Sequence, residues 1–265
     1  MTPNFFDYKD QKTAYYTLGS GKPLIILHGW GSSSQVMLSV ANQMKEIRTC
    51  YLIDFPGFGQ SPEPNQAWNV DDYTSLVEAF IREVCGDEKT DLLVHSFGGR
   101  VALKLLAGRK IAGQIDKVLI TGGAGLKPKR KLSFYFKKYI AKILKLPFLI
   151  LPEPIRTKGL NRLRETPIWK SLGSSDYQKL SGVMRETFVK SVTETLDDLL
   201  PKIEHEVLLI WGSEDTSTPA DQGKRMENGI HHSAYIQIDG AGHYAFLEKP
   251  GEFAAIAKAY FNPKE

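Results

Sequence analysis

Cysteine is scarce in this chain: Cys50 and Cys85 are the only two among 265 residues. They can form one disulfide at most, and two buried free thiols in a reducing compartment are the expected state. No cysteine or histidine pair has the spacing of a metal site, so neither a metal nor an organic cofactor is expected. No apolar run approaches the roughly 20 residues that a membrane-spanning helix needs; residues 146–151 form the longest candidate and fall far short. Residues 1–7 have neither the basic stretch nor the apolar core of a secretory leader, so none is read and a cytoplasmic location is expected. Internal repeats and low-complexity tracts are missing too. Finally, no aspartate or glutamate falls between Asp116 and Glu153, although that interval holds nine lysines and arginines. The net charge of +4 therefore sits in one segment, and the rest of the chain is slightly acidic. A basic character confined to one stretch does not mark the whole molecule as nucleic-acid-binding, and no nucleic-acid partner is expected.

What is present suits a buried core: 42% of the residues are hydrophobic and 24% charged. Residues 13–18 read as a strand ending in the turn Gly19-Ser20-Gly21. Residues 23–27 are a continuous apolar run, as in a strand covered on both faces, and 49–54, 92–94 and 117–120 read as further strands. Helices are expected at about 34–45, with Ser32, Ser33 and Ser34 as candidate caps, and at about 71–85 and 97–108. After Gly125 the alternation gives way to a helical, amphipathic pattern over 126–200, punctuated by Pro147, Pro152, Pro154 and Pro167. It then resumes, with strands at 207–211 and 234–238 and helices at 219–229 and 251–261. Alternating strands and helices imply a parallel sheet with helices on both faces and a ligand site at the carboxyl ends of the strands. The expected organisation is an α/β core of residues 1–125 and 201–265 with a helical cap, 126–200, inserted after the sixth strand.

Four short segments carry the chemistry, each directly after an expected strand. His95-Ser96-Phe97-Gly98-Gly99 stands between a strand and a helix, where a serine projects its hydroxyl from a strained turn and small neighbours let the two elements approach. The following helix directs its N-terminus at that serine, so the N–H of Phe97 suits an oxyanion. His28-Gly29-Trp30-Gly31 is a glycine loop that makes the N–H of Trp30 a second donor. Asp215 closes Gly212-Ser213-Glu214-Asp215, and His243 closes Gly240-Ala241-Gly242-His243. A serine hydroxyl is a weak nucleophile at neutral pH and needs a base, and a histidine base needs a carboxylate to fix its tautomer. The order serine, aspartate, histidine, each after a strand, places all three at one sheet edge. Glu214 is the rival acid, His95 reads as a support for the turn, Asp239 as a strand-end residue, and His231 and His232 as exposed.

In these motifs the chain resembles the α/β-hydrolase superfamily, in its single-domain bacterial branch with a helical cap. Besides the four segments, Asp54-Phe55-Pro56-Gly57-Phe58-Gly59-Gln60-Ser61 matches in order, so the resemblance covers nearly the whole chain. The cap stretches 173–177 and 184–188 look like those of Firmicutes-type hydrolases. The resemblance implies an α/β-hydrolase fold, a triad of Ser96, Asp215 and His243, and an oxyanion hole from Trp30 and Phe97. One departure stands out: the family prefers a small residue two before the nucleophile, and here Val94 occupies that position. Small residues on the facing helix, such as Ala102, are the expected compensation; a distorted turn with slow turnover is the alternative.

The expected activity is that of a serine carboxylesterase acting on a small to medium acyl ester, with Trp30, Phe97 and Tyr244 as substrate-contacting residues and Phe246 beside them. Two alternatives keep the same fold: hydrolysis of a carbon–carbon bond in a vinylogous diketone, and a slow-turnover ligand sensor. A dehalogenase is disfavoured, because aspartate would then be expected at position 96. Within the cap, Leu132, Tyr135, Phe136, Tyr139, Ile140 and Ile143 share one helical face and Lys137, Lys138, Lys142 and Lys145 another. The simpler expectation is an apolar face packed inward and a solvated basic face; the sharper one is peripheral contact with an anionic membrane.

Overall fold

The structure, a computed structural model, describes residues 1–108, 110–129, 132–167, 180 and 182–262. The stretch 173–177, singled out above within the cap, lies outside the described residues. The frame is an eight-stranded sheet in the order β1-β2-β4-β3-β5-β6-β7-β8. Its strands are β1 (Asn4–Tyr8), β2 (Gln11–Leu18), β3 (Pro23–Leu27), β4 (Thr49–Ile53), β5 (Thr90–His95), β6 (Ile115–Thr121), β7 (Val207–Gly212) and β8 (Ser233–Ile238). From β4 to β8 the neighbours run parallel, while β1 and β2 add an antiparallel hairpin at one edge.

Side-chain alternation explains why the central strands are continuous apolar runs. Ile25, Leu27, Leu92, Val94, Val118 and Ile120 belong to a core on one face, together with Tyr73, Leu76 and Val101. Leu24, Ile26, Leu93, Leu119, Leu208 and Ile210 belong to a core on the other, with Met37, Ala41, Phe253 and Phe261. Both faces are covered, so both sets of alternating residues must be apolar. The first face carries α2 (Val70–Phe80) and α3 (Phe97–Leu106); the second carries α1 (Ser34–Met44) and the helix Pro250–Phe261. Cys50 and Cys85 are buried free thiols, each pushed up by burial, to about 12 and about 11 respectively.

Two local features differ from the sequence expectation. Strand β1 was not anticipated, because its hairpin turn is Lys9-Asp10 (φ 47° and 64°), a mirror-image turn made without the usual Asn-Gly signal. The expected serine cap of α1 is also not made: Ser33 stands at the cap position without a side-chain hydrogen bond. The N–H of Ser34 donates instead to the Asp54 carboxylate (2.7 Å), whose other oxygen accepts from the N–H of Gln60 (2.9 Å). A buried carboxylate from a neighbouring loop serves the helix terminus better than a small hydroxyl, since it carries the charge the helix dipole favours there. Helix α2 does cap itself: Asn69 accepts from the Asp72 N–H, and Asp72 accepts from the Asn69 N–H.

A helical insertion follows β6. The chain divides into two compact units, Met1–Lys127 with Glu186–Glu265, and Pro128–Arg185. Where the insertion leaves and rejoins the sheet unit, the strands of chain are tied together: Leu196 N–H donates to Gly125 O (2.9 Å), Lys127 N–H to the Asp197 carboxylate (2.8 Å), and Arg225 to both Lys127 O (2.8 Å) and Asp197 (2.5 Å). Within the second unit, the helices Leu132–Leu149 and Glu153–Glu165 pack as a pair, with the Phe148 ring against Gly159. Tyr139 and Ile143, expected on an inward face, are exposed, whereas Ile140, Leu144 and Phe148 are half-buried.

Candidate active site

In an open parallel sheet the crevice lies where strand order reverses. Here that point is β3, flanked by β4 and β5, and the register pairs Leu27 with Val94. The loops after β3 and β5 therefore leave the sheet side by side. Gly29 shows how close they run: a Cβ there would fall 2.9 Å from His95 Nδ1 and 3.1 Å from the Ser96 Cβ.

Ser96 sits at φ 50°, ψ −106°, a backbone region that costs an L-residue strain. Three backbone hydrogen bonds hold it there: its N–H donates to Thr121 O (3.1 Å), and its carbonyl accepts from Gly99 (2.9 Å) and Ala124 (3.0 Å). The close approach of strand and helix is made at Gly98, where a Cβ would meet the Leu27 carbonyl oxygen at 2.9 Å. Val94 and Ala102 are both fully buried in one apolar core. Phe97 begins α3, so its N–H is among those a helix leaves without an internal partner.

His28 organises the second loop. Its buried ring donates from Nδ1 to Gly29 O (2.7 Å) and accepts the Phe55 N–H at Nε2 (3.0 Å), which fixes one neutral tautomer. Burial holds its pKa below the ordinary value, offset in part by the Gly29 bond and the Asp54 charge. The Trp30 ring, half-buried, packs against Phe97 (5.3 Å), Phe58 (5.0 Å) and Phe188 (5.3 Å between centroids).

Across the sheet edge, Asp215 and His243 are in direct contact: Nδ1 lies 2.9 Å from Asp215 Oδ2. With Nδ1–H donated to the carboxylate, Nε2 is the free basic nitrogen of the neutral ring. Asp215 is buried, and its Oδ1 accepts from the N–H groups of Ser217 and Thr218, both at 2.9 Å. The Thr218 hydroxyl lies 2.8 Å from Oδ2, 2.9 Å from Gly122 O and 3.3 Å from His243 Nδ1. Burial alone would raise the Asp215 pKa; hydrogen bonding and charge from His243, with the Thr218 bonds, outweigh it and hold the carboxyl below its ordinary value. Glu214 is exposed, as are Asp239, His231 and His232.

His95 joins the two halves of the site. It is buried, its Nε2–H donates to the His243 carbonyl (3.0 Å), and its ring lies 4.7 Å from that of His243 and 4.9 Å from that of Tyr244. Burial, reinforced by the neighbouring His243 charge, pushes its pKa down to about 3, so it is neutral at ordinary pH. Tyr244 is half-buried, whereas Phe246 is buried and packs against Phe253 in the core beneath.

The family model of the alpha/beta hydrolase fold matches residues 22–250. The chain belongs to that family. Among similar proteins is the AB hydrolase superfamily protein YisY of Bacillus subtilis, 24% identical over 92% of this chain and 93% of its own length. A pimeloyl-[acyl-carrier protein] methyl ester esterase of Shewanella woodyi is 26% identical over 89% of this chain and 93% of its own length. Of solved structures, an esterase from Exiguobacterium antarcticum superposes with a TM-score of 0.74 at 22% identity, covering 98% of this chain and 99% of the other.

This alpha/beta hydrolase thus brings Ser96, Trp30 and Phe97 together at β3 and β5, and Asp215 and His243 at β7 and β8. Three neighbours were not read from the sequence. Thr218 looks like an ordinary residue before Pro219, and only the fold sets it against β6. Gly122 (φ 53°) has no room for a side chain, since a Cβ would fall 3.1 Å from His243 Nδ1 and 3.3 Å from Asp215 Oδ2; the Gly122-Gly123 pair after β6 was its one local signal. Phe188 ends the stretch 184–188 noted above for its resemblance, but nothing in that stretch marks it as a neighbour of Trp30.

Proposed function

We propose that the protein is a serine carboxylesterase of small to medium acyl esters, with Ser96 as nucleophile, His243 as base and Asp215 as the acid that orients it. The observation that carries the reading is the 2.9 Å His243–Asp215 contact, in a sheet edge where Ser96 occupies a strained strand-to-helix turn. Ser96 Oγ attacks the acyl carbonyl as its proton passes to His243 Nε2, and the charge on the carbonyl oxygen is held by the N–H groups of Trp30 and Phe97. His243 returns the proton to the departing alcohol, leaving an acyl-Ser96 ester. Water, deprotonated by the same nitrogen, then releases the acid and restores the serine. Asp215 keeps Nδ1 protonated throughout and stabilises the imidazolium.

Aromatic rings beside the nucleophile, Trp30 and Tyr244 among them, suit an apolar acyl group. The Shewanella woodyi relative is a methyl ester esterase by name, which supports an ester substrate. The test is hydrolysis of p-nitrophenyl esters from acetate to laurate by wild type and Ser96→Ala. Turnover with an optimum at short or medium chains, lowered at least ~10³-fold in the variant, is the expected result. Hydrolysis that survives in Ser96→Ala overturns the assignment.

A further inference from the structure

The helix Leu132–Leu149 leaves an apolar stripe facing solvent. Tyr139, Ile143, Leu146 and Ile150 are 66%, 60%, 52% and 85% exposed, and Leu149 beside them is 54% exposed. Their spacing of four, three and four residues is that of one helical face, extended just past the helix end. On the opposite side Ile140, Leu144 and Phe148 are half-buried, and Phe148 packs on the neighbouring helix. The helix therefore has two apolar faces, and among the described residues the packing on the neighbouring helix falls on the second. A contiguous exposed patch of large aliphatic side chains is uncommon on a soluble protein and marks a contact surface.

Charge says what the partner is. At 100° per residue the exposed Lys142 falls between Leu146 and Leu149, and no acidic residue occurs anywhere between Asp116 and Glu153. A second copy of the same face would bring its own Lys142 onto the same surface, so self-association is opposed. An apolar stripe edged by long cationic side chains fits the boundary between acyl chains and anionic headgroups, where lysine stems lie along the apolar surface and the ammonium groups reach the phosphates. Among the described residues no helix is long and apolar enough to cross a membrane, so such a helix lies along the surface.

We propose that the exposed face of residues 139–150 docks on anionic lipid bilayers, holding the protein reversibly at a membrane surface. The test is co-sedimentation of the full chain with vesicles of phosphatidylcholine alone and of phosphatidylcholine with phosphatidylglycerol, at low and high salt. Wild type is expected to partition on the order of tenfold more strongly onto the anionic vesicles, with that preference lost at high salt. Lys142→Ala should weaken anionic binding about fivefold, and Ile143→Ser with Ile150→Ser at least roughly tenfold. Because these side chains are exposed, circular dichroism of both variants should match wild type. Three results overturn the proposal: no sedimentation of wild type with anionic vesicles at low salt, binding that the Ile143 and Ile150 substitutions leave unchanged, or a concentration-dependent dimer that the same substitutions abolish. Ester hydrolysis in solution is read separately with Ser96→Ala, which should bind vesicles as wild type does.

Discussion

The Thr218 hydroxyl stands 2.8 Å from Asp215 Oδ2 and 2.9 Å from the Gly122 carbonyl, so one buried side chain bridges the β7 loop, with its Asp215 carboxylate, and the β6 loop. Its N–H, donated to Asp215 Oδ1, completes a clasp on both carboxylate oxygens. The carboxylate is thereby kept ionised and aimed at His243 before any substrate arrives.

Thr218→Val keeps the shape and removes the hydroxyl. We expect kcat to fall about tenfold, equivalent to roughly 1.4 kcal/mol, with KM little changed. The hydrogen bond favours the ionised carboxyl, so its loss raises the pKa of Asp215, and the acid limb of the kcat/KM profile should move to higher pH. Thr218→Ser should restore both. A lower melting temperature with an unmoved acid limb would reduce Thr218 to a packing residue.

Gly122→Ala tests the space behind the dyad. The added Cβ falls against His243 and Asp215 at a residue with φ 53°. Displacement of the imidazole should cost roughly 10–100-fold in kcat, and the positive φ about 1 kcal/mol or more of stability. Wild-type kinetics in this variant would mean that the dyad tolerates the shift.

Strain at Ser96 predicts a trade of activity against stability. Glycine adopts φ 50°, ψ −106° freely, so Ser96→Gly should raise stability by about 1 kcal/mol in denaturant unfolding while removing hydrolysis. Ser96→Ala keeps the strained backbone and should unfold close to wild type. Equal stability of the two variants would show that the turn carries no net strain.

His95 links stability to pH. Its folded-state pKa is depressed to about 3, against about 6.5 for an unfolded histidine. Between those values the unfolded chain binds the proton and the folded one does not, so stability is complete above about pH 6.5 and is lost as pH falls toward 3. The shift corresponds to at most about 4–5 kcal/mol over that window. His28, depressed in the same direction, adds to the slope. Urea unfolding across this range should give a shallower pH dependence for His95→Gln than for wild type; parallel curves would place the sensitivity elsewhere.

Much of the frame was legible in the sequence. β3, β5 and β7 announce themselves because a strand covered on both faces needs apolar residues at consecutive positions. Ser96, Asp215 and His243 are legible as candidates because each stands in a short glycine-rich segment directly after such a strand, where the turn itself restricts composition. The β1–β2 hairpin was not, since Lys9 and Asp10 take positive φ without a glycine between them. The cap of α1 was misread for a different reason: three serines stand in place, but Asp54, 20 residues on, reaches the Ser34 N–H first.

Local chemistry sets which residues can turn, cap or alternate, and that much a linear chain records. Tertiary structure alone decided that Thr218 meets Gly122 across 96 residues, that Trp68 N–H meets Thr187 across 119, and that His95 meets the His243 carbonyl across 148. It also decided that Tyr139 and Ile143 are exposed while Phe148 packs on the neighbouring helix. Those contacts depend on strand order and on which elements pack together, and no residue carries a local mark of the distant neighbour it will be folded against.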